Sequence, residues 1–427
     1  MEDTQLFEGQ DGAAIVHTLM RILHIVTSFP RGPADVMVPW LVELIKRFQA
    51  AGHQVEVFAP AYRGGGNSEF RGIPVHRFRY APARWEDLTH DEATPDRLRR
   101  SWHYKVLSVC YLAGGMLGIW RLCRRRRYDI VQVHWPLPHA LFGWVARWAS
   151  GARIVTYWYG VELRWVKGGL PWLRPFLRWA LRLSDQVAAI SSYTAREIRE
   201  LSRIPVRVIP YTTPFSVEPP DVPKVQRGGS GDQFCVLFVG SLVERKGVTH
   251  LVEAVRHLPP GVAAHLTVVG DGPERARLEA QITRNGLADR VTLRGRVSGA
   301  ELRDAYAGAD VLVLPSIVDA RGDTEGLGVV LLEAMAHGVP VIGSDLGGIT
   351  DIIVDGETGV LVPPGDPAVL AAALSRLATD RALSMRLGEA GRQHVRALFN
   401  WTTITAQWEA CYAAAAGIRT GTASAKE

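Results

Sequence analysis

Short β-branched runs alternate along this chain with longer amphipathic stretches, and that alternation restricts its fold more than any other feature. A run of four to six apolar residues between turns buries both faces, whereas the segments between show the one-sided period of a helix. Strands covered by helices on both sides make a parallel sheet. In the first half, Ile22–Val26, Val55–Ala59, Ile130–Val133, Ile154–Tyr157, Val187–Ile190 and Val206–Ile209 read as strands. The rhythm breaks at Val217–Gln233, rich in Pro, Gly and charge and without hydrophobic period, and resumes with Val236–Val239, Leu266–Val269, Val291–Leu293, Val311–Leu314 and Val339–Ile342. The expected architecture is α/β, with two Rossmann-like doubly wound domains, residues 20–215 and 234–398, joined by a linker at 216–233. A helix and tail, 399–427, carry one apolar face that could pack on either domain. Residues 1–19 precede Met20, which opens directly onto the first strand, and read as a disordered extension or a misassigned start.

A chain of 427 residues, 47% hydrophobic and 22% charged, can bury sizeable cores, which excludes disordered, collagen-like and disulfide-scaffold classes. Cys110, Cys123, Cys235 and Cys411 form no C-x-x-C pair, so the expectation is no zinc site, no disulfide framework and a reducing cytoplasm. No uninterrupted apolar run reaches the roughly 18 residues of a spanning helix, and Met1–Gln10 lacks the charged and apolar regions of a leader. Neither export nor membrane spanning is expected. Charge is unevenly shared: residues 1–220 hold 29 Lys and Arg against 19 Asp and Glu, the remainder 20 against 24. In the basic half, Arg124–Arg127 follows a mildly apolar stretch, Val106–Trp120. Two readings stay open there, a surface that docks on an anionic inner membrane leaflet or a buried helix followed by a solvated charge run. No nucleic-acid partner is expected, because neither an aromatic-basic RNA motif nor a zinc finger accompanies the charge.

Chemistry concentrates in turns that follow the strands of the second domain, where open α/β sheets bind ligands. The turn Gly240–Gly247 (GSLVERKG) places Arg245 and Lys246 side by side, a forked donor and a point charge suited to a diphosphate. A solvated pair near a helix start is the plainer alternative. The turn Gly270-Asp271-Gly272-Pro273 allows close backbone approach. The third turn, Asp323-Thr324-Glu325-Gly326-Leu327-Gly328, runs into an apolar helix whose free amides and dipole favour an anion. Glu325 and Glu333 are eight residues apart. Two carboxylates on one anion would repel it, so the sensible division gives phosphate to the Gly326 and Leu327 amides and neutral sugar hydroxyls to both acids. Glu333 sits among apolar neighbours in VVLLEAMA and needs a partner.

The block from PSIVDARGDTEGLGVVLLEAMAHGVPVIGSD through DGETGVLVPPGD, with GSLVERKG and VVGDGP upstream, resembles family 4 of the retaining glycosyltransferases, which have the two-Rossmann GT-B fold with domains facing across a cleft. The segment VQVHWPLPHALFGWVARWASGARIVTYWYGVEL is similar to the family's strand–helix–strand segment beside the acceptor. The resemblance runs from about Met20 to Trp408. It implies that Arg245 and Lys246 bind the donor diphosphate, that Glu333 binds ribose hydroxyls, and that Glu325 holds the transferred sugar, with Gly326 and Leu327 on phosphate. Gly270, Asp271 and Gly272 belong to the donor side, as does Gly32 in the loop Ser28–Val36, and Arg296 is placed near the base.

The resemblance further implies a metal-independent hexose transfer from a GDP- or UDP-sugar to a hydroxyl of a glycan or lipid-linked acceptor, with no permanently bound cofactor. The expected setting is cell-surface polysaccharide or glycolipid synthesis, in the cytoplasm or on the inner face of the plasma membrane. One departure stands out. In the family's T-x-x-H-G-x-[DE] turn this chain reads Thr156-Tyr157-Trp158-Tyr159-Gly160-Val161-Glu162, with Tyr where His is usual. Tyr159 can donate a hydrogen bond to a sugar but is a poor base near neutral pH. His134, at a strand end, is either structural or a second polar group on the sugar side. A transfer-inactive nucleotide-sugar or glycan binding protein of the same fold is the competing reading.

Overall fold

The computed structural model describes residues 4–5, 17–32, 35, 37–89, 97, 101–213 and 233–418. The expected linker, save Gln233, most of residues 1–19 and the end of the tail lie outside the described residues, as do 33, 34 and 36 of the loop carrying Gly32.

Two sheets organise the chain. The first has eight strands in the order Arg207–Val208, Gln186–Ala189, Arg153–Trp158, Ile130–His134, Arg21–Ile25, Gln54–Pro60, Ile73–Phe78 and Ser68–Phe70. Every pairing is parallel except the last, where Ser68–Phe70 turns back on Ile73–Phe78. The second has six parallel strands, Val291–Gly295, Ala264–Val269, Phe234–Val239, Val311–Leu314, Val341–Ser344 and Val360–Val362. Ile130–His134 and Val311–Leu314 are buried throughout, as the continuous apolar runs require. Three strands of these two sheets escape the sequence pattern. Ile73–Phe78 alternates apolar and polar residues and contains Pro74, while Ser68–Phe70 and Val360–Val362 are three-residue edge strands.

Strand order reverses between Arg21–Ile25 and Ile130–His134 in the first sheet, and between Phe234–Val239 and Val311–Leu314 in the second. Connections leaving on either side of such a reversal diverge and leave a crevice. Helix Trp401–Ala416 settles which domain the apolar tail covers: it returns to the first sheet, where Trp408 meets Tyr157 edge-on at 4.8 Å and the Tyr412 hydroxyl donates to Gln132 Oε1. Helix Trp102–Arg125 carries the apolar stretch Val106–Trp120; it is 24 residues long and by length and composition alone apolar enough to cross a membrane, although isolated polar residues such as Lys105 and Ser108 interrupt its run and Leu107, Tyr111, Ile119 and Cys123 are buried against the domain.

Candidate active site

The two crevices meet. Arg164 Nε donates to Asp323 Oδ1 at 2.6 Å, the Ser192 amide donates to Asp351 Oδ2 at 2.5 Å, and Thr213 Oγ1 donates to Glu333 Oε1 at 3.3 Å, each bond joining the first domain to the second. A Cβ added to Gly326 would lie 2.9 Å from Ile190 Cδ1 and 3.4 Å from the Tyr159 carbonyl oxygen, so the donor-side loop abuts the first domain there.

In the second domain the two cations after Phe234–Val239 turn onto one acid. Lys246 Nζ lies 2.5 Å from Glu325 Oε2, Arg245 Nη1 3.4 Å from the same oxygen, and Ser316 Oγ donates to it at 3.4 Å. Gly247 makes the turn possible: at φ +64°, its missing Cβ would sit 1.9 Å from the Pro315 carbonyl oxygen. Lys246 is 8% and Glu325 7% exposed. Burial opposes ionisation of Glu325, but Lys246 and Arg245 outweigh it and hold its carboxyl below the usual range. Arg245 is thus no freely solvated surface charge; it also lies 3.6 Å from Asp323, which links it to Arg164.

The loop from Glu325 is held from behind. The Gly348 amide donates to the Glu325 carbonyl, and Gly347 and Gly348 pack so closely that a Cβ on either would meet the carbonyl oxygen of Glu325 or Gly326 at about 2 Å. Among the described residues the amides of Gly326 and Leu327 donate to no protein acceptor, and they precede helix Val329–Ala336. They form a donor pair at a positive helix end. On that helix Glu333 has the partners its surroundings demanded: the Tyr306 hydroxyl donates at 2.5 Å and Thr213 from the other side. Burial raises its pKa against these two bonds.

Other expected donor residues are placed less directly. Gly270 and Gly272 are required by packing: a Cβ on either would strike the carbonyl oxygen of Gly240 or Leu242, so this turn braces the cation-bearing one from the side. Asp271 is exposed and accepts from the Gly272 amide, and Arg296 is exposed beyond the edge strand Val291–Gly295. Gly32 has open space where a Cβ would go, so nothing in the described loop demands glycine there.

The expected sugar-side pair is linked inside the first domain. His134 is fully buried, its Nε2 3.0 Å from His24 Nδ1 and its Nδ1 2.8 Å from the Tyr159 hydroxyl. Tyr159 is 7% exposed, its ring stacked on Trp135 at 4.1 Å. In this structure His134 is thus paired with His24 on one side and the Tyr159 hydroxyl on the other, while the Tyr159 carbonyl lies beside the donor loop. Burial pushes the His134 pKa well down, helped by His24 and His139, and the Tyr159 phenol well up. Glu162, closing the same turn, accepts from the Tyr159 amide and is raised to about 7 by burial.

Sequence reasoning missed the residues that join the halves. Arg164, on helix Val161–Gly168, is buried and finds its partners in Asp323 and Glu197. It also missed the rings at the first crevice. Trp40 lies 4.9 Å from Tyr211 and 6.1 Å from Tyr159, and Tyr211, its phenol raised first by burial, senses the charge of Glu325. Val38 and Trp135, each before a proline, hold left-handed backbone at φ 42° and 50° beside these rings. Such strain persists only where surroundings enforce it.

Known proteins resemble the chain in sequence and in fold. Residues 37–212 match the family described as Glycosyl transferase 4-like domain, and residues 224–394 match Glycosyl transferases group 1. The chain is 30% identical over 299 residues to N-acetyl-alpha-D-glucosaminyl L-malate synthase of Bacillus anthracis, covering 68% of this chain and 76% of that protein. It is 29% identical over 405 residues to the GDP-mannose-dependent alpha-(1-6)-phosphatidylinositol monomannoside mannosyltransferase of Mycobacterium tuberculosis, covering 91% and 97%. Sucrose-phosphate synthase from Thermosynechococcus elongatus superposes with a TM-score of 0.73 at 25% identity, over 92% of this chain and 98% of that one. With two doubly wound domains closing on a cation-lined turn, and with both halves matched, the chain belongs to the group 1, family-4-type glycosyltransferases of GT-B fold.

Proposed function

We propose that the protein is a retaining hexosyltransferase that moves a sugar from a GDP- or UDP-sugar to a hydroxyl of a glycan or lipid-linked acceptor, on the cytoplasmic side, in cell-surface polysaccharide or glycolipid synthesis. The observation that carries this is the convergence of Lys246 and Arg245 on buried Glu325, beside the Gly326 and Leu327 amides, which have no protein acceptor among the described residues, at a helix start. Fixed positive charge of this kind stabilises a departing diphosphate without reorganising during reaction. The incoming diphosphate takes over the two cations and the Gly326 and Leu327 amides. Glu325, kept ionised, accepts from hydroxyls of the transferred sugar, and Glu333 from those of the ribose.

During transfer the bond from the anomeric carbon to phosphate breaks, and a bond from that carbon to the acceptor oxygen forms on the same face. The acceptor proton passes to the departing phosphate oxygen. Two observations support a route without a protein base: the carboxyl of Glu325 is held below the usual range, and His134 is closed off in the core. The mycobacterial relative, named for GDP-mannose as donor and a phosphatidylinositol monomannoside as acceptor, supports a nucleotide-sugar donor and a lipid-borne acceptor for this chain too.

The test is incubation with a panel of GDP- and UDP-sugars, following nucleotide release without acceptor and then with membrane extract. Product anomers are read by NMR. Release with one donor class and a product of unchanged anomeric configuration is expected. Tight nucleotide binding with no release would favour the transfer-inactive binder instead.

A further inference from the structure

We propose that helices Trp102–Arg125 and Pro136–Ser150 form a docking face that lays the first domain flat on an anionic lipid bilayer. This goes beyond the donor site and rests on a different part of the molecule. Along the first helix Leu107, Tyr111, Gly115, Ile119 and Cys123, every fourth residue, are buried against the domain. Trp102, Val106, Val109, Leu117 and Trp120 are exposed on the outside, Trp102 by 75%. The neighbouring helix adds Trp144 and Trp148, the latter 74% exposed. A contiguous set of large apolar side chains left in water marks an interaction surface.

The surroundings select the partner. From 102 to 127 the chain has Lys105, Arg121 and Arg124–Arg127 and no Asp or Glu, and 136–150 has Arg147 and no acid. A second copy of the chain would bring the same cations face to face. Arg126 is paired with Glu56 and Arg147 with Asp185; for the rings and the other cations an anionic membrane supplies acyl chains under tryptophans, which favour the headgroup level, and negative charge beneath the arginines. Trp102 and Trp120 stand about 27 Å apart along the helix, so both reach one headgroup layer only if the axis lies in its plane.

Packing excludes the alternative that this helix crosses the bilayer, which its length and composition alone would allow. A Cβ on Gly115 would lie 2.2 Å from Phe142 Cζ, one on Gly114 2.5 Å from the Arg79 carbonyl oxygen, and one on Gly118 2.9 Å from Phe78 Cβ. Two adjacent turns of the helix are therefore seated closely on the domain, and the Tyr111 hydroxyl is bonded to His139 below. Withdrawing the helix would open the core around Phe58, Phe78 and Phe142.

The experiment is flotation of the full chain with phosphatidylcholine vesicles and with vesicles containing about one-third phosphatidylglycerol, without donor or turnover, so that its result stands apart from the donor-site reading. Binding to the anionic vesicles alone, reversed by high salt, is expected. The triple variant Arg124→Ser, Arg125→Ser, Arg127→Ser is expected to partition about 100-fold less, and Trp102→Ser with Trp148→Ser at least tenfold less. Unchanged circular dichroism and unchanged nucleoside diphosphate binding show that the variants fold. Failure of the native chain to float with anionic vesicles, or equal flotation of the folded variants, overturns the proposal. Extraction-resistant insertion overturns the in-plane geometry, and a dimer lost on Trp102→Ser without vesicle binding identifies a second copy as the occupant.

Discussion

The two domains share a doubly wound plan and open at the same topological point, yet they fill that point with opposite chemistry. In the second domain the strands end in ions, with Arg245, Lys246, Asp323 and Glu325 within one connected cluster. In the first they end in rings and neutral imidazoles, where Trp40, Trp135, Tyr159 and Tyr211 stand over His134 and His24. Identical scaffolds thus tell little about a site. The ions suit a partner whose charge must be stabilised as it departs; the rings suit one whose polar groups are sparse and whose faces need contact.

If the ionic half carries the chemistry, its loss should be the most costly. Arg245→Gln is expected to lower the transfer rate about 10²–10³-fold while changing stability by no more than about 1 kcal/mol, because Lys246 still neutralises Glu325. Nucleotide release and a thermal melt measure both. Lys246→Ala is less clean: it also strands a buried carboxylate, so part of its cost will appear in the melt.

The ring-and-imidazole half should break first in acid. Burial lowers His24 to about 3 and His139 to about 4. With folded values below the unfolded 6.5, the unfolded chain takes up protons first as pH falls, so stability is lost from about pH 6.5 downward, on the order of 3 kcal/mol for each imidazole by pH 4. Glu162 works in the opposite sense. Its folded value near 7 lies above the unfolded one, so its protonated form stabilises the fold below about pH 4.5 and that contribution fades as pH rises through 7. Far-UV dichroism against pH should therefore show a first transition below pH 6; a fold unchanged down to pH 4 would contradict the buried cluster.

A smaller effect sharpens the contrast at Tyr159. Tyr159→Phe leaves His134 Nδ1 without its bond, for about 1–3 kcal/mol of stability, and should alter transfer per folded molecule by no more than about threefold. A hundredfold loss of rate with an unchanged melt would return that hydroxyl to the sugar. Smallest of all, Asp351→Asn weakens the bonds from Ser192 that help hold the halves together, by about 1 kcal/mol, and should raise the radius of gyration in solution slightly.

Much of this was legible in the residues. Alternating β-branched runs gave the central strands of both sheets, since strands buried on two faces leave an uninterrupted apolar signature, while edge strands such as Ser68–Phe70 and Val360–Val362 leave almost none. The ionic turn was legible because Arg245, Lys246 and Glu325 are unusual beside glycines. The inward turn of Tyr159 was not: which way a ring points depends on Trp135 and His134, brought to it only by pairing of Ile130–His134 with Arg153–Trp158. Nor could spacing reveal Arg164 with Asp323, 159 residues apart and on different domains.

The measurement that bears most directly on the ionic half is a crystal structure with UDP or GDP bound. The account requires the pyrophosphate within about 3 Å of Arg245, Lys246 and the Gly326 or Leu327 amide, with Glu325 freed from at least one cation. A pyrophosphate bound among the rings of the first domain, with Lys246 still closed on Glu325, would contradict it.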